Sequence, residues 1–321
     1  MSLSLKHVAA DDMSALDARP TRLFAVVEVA EGWCARLASA LALASELAAP
    51  DVRVDVLFLG DWADETVASP ALLRGLGAAF ECLPSPTLDV VPLLNCCGYA
   101  RYPAGATVAA ARASGARVVG FAPTAAETSL VGALPGLPVA AGPATDAPRL
   151  AAARLADDGG GDSAAMAFKS AAVGGTFDRL HAGHRLLLAA TACVCEETVY
   201  VGVAGDALLA KKAHAEKLWP FEKRSETAKA YLEACRPELA VSLSALLDPK
   251  APPKAATMSE ITALVISRET VAGADKLAAM RADNGIAEPL RFVVVDLVGA
   301  ESTEPAAPKL SSSALREADS T

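Results

Sequence analysis

Apolar residues follow two alternating rhythms along this chain. Residues 23–30 (LFAVVEVA) form a continuous apolar run that predicts a buried strand. Residues 52–59 (VRVDVLFL) alternate at the two-residue strand period, and residues 118–121 predict another short strand. Between them, residues 34–47 carry an alanine and leucine pattern at helical spacing, residues 72–80 a second one, and residues 88–94 are apolar again. The second half repeats the alternation. Strands are predicted at residues 167–173, 198–203, 239–247, 263–267 and 291–297, and helices at 183–195, 221–235 and 273–282, with a closing helix starting at 311–317. Pro220 stands near a helix start, where proline is tolerated. Residues 143–165 shift to Pro, Ala, Asp and Gly, with three consecutive glycines at 159–161, which is linker chemistry. The expected organisation is α/β throughout: an N-terminal α/β domain over residues 1–142, the linker, and a Rossmann-like doubly wound parallel sheet over residues 166–321.

A site in such a sheet lies outside the carboxyl ends of the strands. Residues 172–188, AVGGTFDRLHAGHRLLL, occupy that place after the first strand of the second half. The apolar run ends at Val173, and Gly174 and Gly175 are expected to let the backbone turn tightly and approach a ligand. Thr176, Phe177 and Asp178 follow, then His181 and His184, then an apolar helical run. Free N–H groups and the dipole at a helix start attract an anion, and two histidines three apart share a helix face. A glycine pair alone, or a single histidine alone, is ordinarily structural. Here two of the chain's four histidines fall in one constellation with the glycines and the threonine.

Other strand ends carry cations and hydroxyls. Lys211 and Lys212 follow the second strand and could hold a phosphate dianion, the alternative being a solvated surface turn. Arg268 follows the fourth strand. Ser311, Ser312 and Ser313 open the last helix, either as caps or as phosphate ligands.

Composition narrows the classes. The 321 residues are 53% hydrophobic but only 5% aromatic, and no apolar run has the length of a membrane span. Asp11, Asp12 and Asp17 near the start are unlike a secretory or transit segment, so a cytoplasmic location is expected. A net charge of −9 argues against non-specific nucleic-acid binding. The seven cysteines include no C-x-x-C pair and match no zinc spacing. They are expected to be reduced and mostly buried, with no protein-held metal, a redox role for Cys96 and Cys97 being the alternative. The first half contains no P-loop, no convincing dinucleotide fingerprint and one histidine, His7.

The ordered set GGTFDRLHAGH, VGVAGDALLAKK, LLDP, VISRET and SSSALR resembles the HxGH nucleotidylyltransferase superfamily. Within it, residues of about 168–317 resemble pantetheine-phosphate adenylyltransferase of the eukaryotic type, the adenylyltransferase part of bifunctional CoA synthase. The resemblance implies transfer of the adenylyl group of ATP to 4′-phosphopantetheine, giving dephospho-CoA and pyrophosphate, with Mg²⁺ carried by the nucleotide. It places His184 on the α-phosphate, His181 on the β or γ side, and Thr176 on the attacking phosphate. Lys211 and Lys212 clamp phosphopantetheine, Lys211 being counted with the catalytic group. Gly174, Gly175, Arg268, Ser311, Ser312 and Ser313 complete the ATP site. The family often continues into a P-loop kinase domain that this chain lacks, which implies either a separate dephospho-CoA kinase as partner or a piece of a bifunctional enzyme. The alternatives are a cytidylyltransferase acting on a phospho-alcohol and a non-catalytic nucleotide-binding scaffold.

Overall fold

A computed structural model describes residues 22–29, 33–47, 52–85, 87–97, 117–119, 136–137, 165–248, 251–296, 298 and 312–318. In chain order the elements begin with β1 (Arg22–Glu28), α1 (Trp33–Leu47), β2 (Arg53–Leu59), α2 (Pro70–Glu81), β3 (Asp89–Leu93), β4 (Arg117–Val119) and β5 (Gly136–Leu137). The second half follows with β6 (Phe168–Gly175), α3 (Ala182–Val194), β7 (Cys195–Ala204), α4 (Asp206–Leu209), α5 (Phe221–Cys235) and β8 (Ala240–Leu246). It ends with α6 (Lys254–Thr257), β9 (Ala263–Ser267), α7 (Ala274–Asp283), β10 (Arg291–Val295) and α8 (Ser312–Ala318). Strand β5 and the short helices α4 and α6 were not anticipated: elements of two to four residues are too brief to show a period. All but Ala165 of the expected 143–165 linker lies outside the described residues.

Two five-stranded parallel sheets result, with orders β3-β2-β1-β4-β5 and β10-β9-β6-β7-β8. In each, the chain winds outward from a central first strand in one direction, then returns to wind in the other. The reversal lies beside β1 in one sheet and beside β6 in the other. This is the doubly wound arrangement, and the second copy fits the Rossmann-like nucleotidylyltransferase expectation.

Helix α2 shows how the local sequence sets an element. Ser69 accepts a hydrogen bond from the Leu72 N–H as N-cap, Pro70 occupies the first turn, and Leu72, Leu76, Ala79 and Phe80 are buried. Helix α3 is buried almost all round because it lies between the two halves and packs against α2. Its Arg185 Nε donates to Asp89 Oδ1 at 3.0 Å, and the Tyr231 hydroxyl on α5 donates to the Val90 carbonyl at 2.7 Å. One continuous apolar core joins β1, β2 and α2 with α3, β7 and α5.

Candidate functional site

Strand β6 runs through both glycines. Gly174 stands opposite Gly202 and Gly175 opposite Val203 in the β7 ladder. The tight turn expected at the glycines therefore comes later, and its left-handed residues are Phe177 (φ 52°) and Arg179 (φ 46°). Gly175 is small for another reason: a Cβ there would sit 3.0 Å from the Phe177 ring. Phe177 is fully buried and packs at 5.5 Å from His184. Gly175→Ala is thus expected to push Phe177 against α3 and cost about 1–3 kcal/mol of stability, the usual range for overpacking. Denaturant unfolding of the full chain checks this.

His181 is the N-cap of α3 but makes no side-chain cap bond, so its ring is free to face forward. A Cβ on Gly183 would lie 3.2 Å from that ring. The His181 and His184 rings stack with centroids 4.0 Å apart. Both Nδ1 atoms are buried without a hydrogen-bond partner. Burial, with Arg185 adding, depresses His181 to about 4. Burial also holds His184 well below the imidazole range, helped by His181, Lys212 and Arg185. The site thus presents two neutral imidazoles. An unfolded chain protonates them near 6.5, while folded His181 resists until about 4. Below 6.5 the unfolded state binds more protons, so stability falls as the pH is lowered through that window. A series of melting curves from pH 7 to pH 4 should show the fall, with a shallower slope for His181→Gln.

Lys212 Nζ donates to Thr176 Oγ1 at 2.9 Å, joining the loop after β7 to the turn after β6. Its pKa is lowered by partial burial first, then by Arg316. Lys211, next to it, is exposed, as Lys212 is. What divides the lysine pair is the hydrogen bond by which Lys212 reaches the threonine. Arg268, after β9, is mostly exposed. Its Nε donates to Asp296 Oδ1 at 2.7 Å, and it borders a cavity of about 250 Å³ lined also by Pro70, Leu73, Arg74 and Met166. Ser311 lies outside the described residues. Ser312 and Ser313 are half-buried on α8, and Ser313 Oγ accepts from Arg316 Nη2 at 2.9 Å.

Three residues that sequence reasoning left without a role organise these groups. Asp178 is fully buried. It accepts from Arg316 Nη1 at 2.7 Å, from the Trp219 N–H at 3.0 Å and from Arg179. Arg316 also donates to the Ala213 carbonyl, so one ion pair ties α8 to the GTFD turn and to the segment after the lysines. Arg224, also fully buried, donates to the carbonyls of Thr176, Ala204 and Trp219 and to Asp206 Oδ1. It fixes the Thr176 backbone from beneath. Asp178 and Arg316 stood inside the quoted motifs, and their opposite charges were the available signal. Arg224 lies in FEKRSE, where it looks like any solvated helix charge.

A family model described as Cytidylyltransferase-like matches residues 172–318. A phosphopantetheine adenylyltransferase of Pyrococcus abyssi is 32% identical over 153 residues, which is 47% of this chain and 90% of that protein. The chain belongs to the phosphopantetheine adenylyltransferase family. The family's Methanothermobacter thermautotrophicus protein is 37% identical over 134 residues, 42% of this chain and 77% of its own. The Saccharomyces cerevisiae phosphopantetheine adenylyltransferase is 33% identical over 156 residues, 49% of this chain and 50% of its own length. The chain thus spans about half of that yeast relative. Among the described residues no helix is long and apolar enough to cross a membrane.

Proposed function

We propose that this chain transfers the adenylyl group of ATP to 4′-phosphopantetheine, releasing pyrophosphate and forming dephospho-CoA. The observation that carries the reading is the stacked His181–His184 pair at the start of α3, both Nδ1 atoms without a partner, beside a Lys212 that acts on His184 and donates to Thr176. The attacking phosphate is an anion and needs no strong base. Catalysis then consists of aligning it with the α-phosphorus and stabilising the charge that builds there. His184 stabilises that charge, His181 contacts the leaving side, and Thr176 with Lys212 holds the phosphopantetheine phosphate. Ser312 and Ser313, the latter set by Arg316, border the triphosphate, with Ser311 assigned there from its motif. Arg268 joins ATP only by leaving Asp296.

Asp178, the carboxylate nearest in sequence to Thr176, is already taken up by Arg316, Arg179 and the Trp219 N–H, and the other groups at the turn are imidazole, hydroxyl and ammonium. That donor set suits phosphate oxygens rather than a bare dication, so Mg²⁺ would be carried by the nucleotide and would supply charge neutralisation to its phosphates. A dephospho-CoA kinase, separate or on the same polypeptide, would consume the product, and the compartment proposed is the cytoplasm.

Pyrophosphate release with phosphopantetheine and either ATP or CTP tests the reading. Turnover with ATP is expected. Turnover with CTP alone, or binding without turnover, overturns it. Lys212→Ala should raise KM for phosphopantetheine about tenfold or more while changing KM for ATP less, because a charge-assisted bond is worth about 1.5–3 kcal/mol. Lys211→Ala should have the smaller effect, and steady-state kinetics with each substrate varied in turn separates the two.

A further inference from the structure

The fold assembles three thiols that the sequence keeps far apart. Cys96 and Cys97 lie in the short turn just after β3, in the first half, and Cys193 lies in the last turn of α3. Cys97 Sγ is 3.7 Å from Cys193 Sγ and 3.9 Å from Cys96 Sγ, and all three sulfurs lie within 4.8 Å of one another. All three residues are buried and free of disulfides. A metal about 2.3 Å from each of three sulfurs, in trigonal array, sets those sulfurs about 4 Å apart. The observed spacing is therefore that of a coordination triangle. It is longer than a disulfide bond by nearly a factor of two.

We propose that Cys96, Cys97 and Cys193 form a thiolate site for one soft d¹⁰ cation, with Cu⁺ as the ion that suits three sulfurs and no fourth donor among the described residues. Sulfur ligands select such ions over hard oxygen-seeking ones. Each thiol proton passes to solvent as its metal–sulfur bond forms, and no oxidation takes place. The surroundings favour the charge. The negative end of the α3 dipole lies beside the cation. Arg236 donates to the Ala192 and Cys195 carbonyls at that same helix end and offsets the thiolate charge.

The site would act on the enzyme through α3. That helix carries His184 in its first turn and Cys193 in its last, so a metal at one end fixes the helix to the first half of the chain. The first half, which shows no chemistry of its own, thereby gains a positioning role. Burial of all three sulfurs means loading during folding, or during transient opening, rather than by diffusion into the closed protein.

The test uses the full chain, unfolded and refolded anaerobically with reductant in the presence of Cu⁺, then challenged with a colorimetric copper chelator. Expected are one retained equivalent, ultraviolet thiolate-to-copper absorption, three sulfur neighbours by X-ray absorption, and a higher melting temperature than the metal-free chain. Cys193→Ser should weaken retention by more than the roughly 10–100-fold that loss of an outer-shell partner costs. Cys195→Ser, whose sulfur bonds the Thr198 and Lys169 carbonyls away from the triangle, should retain the metal. If Cys193→Ser does not fold, the sulfur count on the unsubstituted chain decides. No retained copper, a nitrogen or oxygen shell, or undiminished retention by Cys193→Ser overturns the proposal.

Discussion

His184→Ala is expected to lower turnover by roughly two to three orders of magnitude, the cost of removing one preorganised donor from a developing oxyanion. The ring is half-buried, stacked on His181 and packed against Phe177, with its buried Nδ1 lacking a partner. A group left unsatisfied in this way is a standing cost in the free protein, of about 1–3 kcal/mol if neutral, which a ligand can relieve. Removing the ring therefore takes away the proposed donor and little stability. The expected pattern is a large fall in kcat, a small change in KM for ATP, and an unchanged or slightly altered unfolding midpoint. His184→Gln should recover part of the rate only if an N–H donor is what the position supplies. Single-turnover pyrophosphate release on variants of matched stability checks both. A rate within a few-fold of the parent would remove His184 from the reaction.

The depressed pKa values sharpen that expectation. Free His181 and His184 are neutral at pH 7, so the site offers N–H dipoles rather than fixed positive charge. Phosphates arriving beside them favour protonation and push both values up. Proton uptake on ATP binding, read as buffer-dependent heats in calorimetry, should shrink in His181→Gln.

What the sequence carried legibly was whatever repeats at a short period or sits in one contiguous stretch. The strands of the second sheet and α3 follow from apolar spacing, and Thr176, His181 and His184 lie within nine residues of a single turn and helix start. The failures share a physical cause, which is that distance in the chain says little about distance in the fold. Nothing local marks Lys212 rather than Lys211 as the one that meets Thr176, because that choice is made by the turn after α4. Arg224 reads as a surface charge and is fully buried under the Thr176 carbonyl. The glycine pair was expected to make the turn, yet the ladder with Gly202 and Val203 keeps it extended, and Phe177 needs the space that Gly175 leaves. The first sheet makes a related point. It repeats the winding of the second, but β1 is followed by VAEGW where β6 is followed by a threonine and two histidines. Winding and chemistry are written separately.

Asp178→Ala and Arg316→Ala are each expected to destabilise the full chain by about 3–5 kcal/mol, the cost of leaving one buried charge without its partner. The pair is 2.7 Å long with side chains 1% and 0% exposed, so water cannot replace either member. Truncating Asp178 strands Arg316 and also the Trp219 N–H. Truncating Arg316 frees the Ala213 carbonyl and the α8 helix. The double variant should cost less than the sum, since the second truncation removes the charge that the first left stranded. Arg316→Lys should rescue only in part, because one ammonium cannot reach Asp178, Ala213 and Ser313 in the fork that the guanidinium makes. Urea titration gives the energies. Kinetics then separates this pair from a merely structural one. Arg316 also sets Ser313, so in Arg316→Lys, assayed well below its unfolding midpoint, KM for ATP should rise more than KM for phosphopantetheine, whose proposed contacts lie on Lys212 and Thr176. Equal changes in the two constants would detach α8 from the triphosphate and leave the ion pair as a clasp alone.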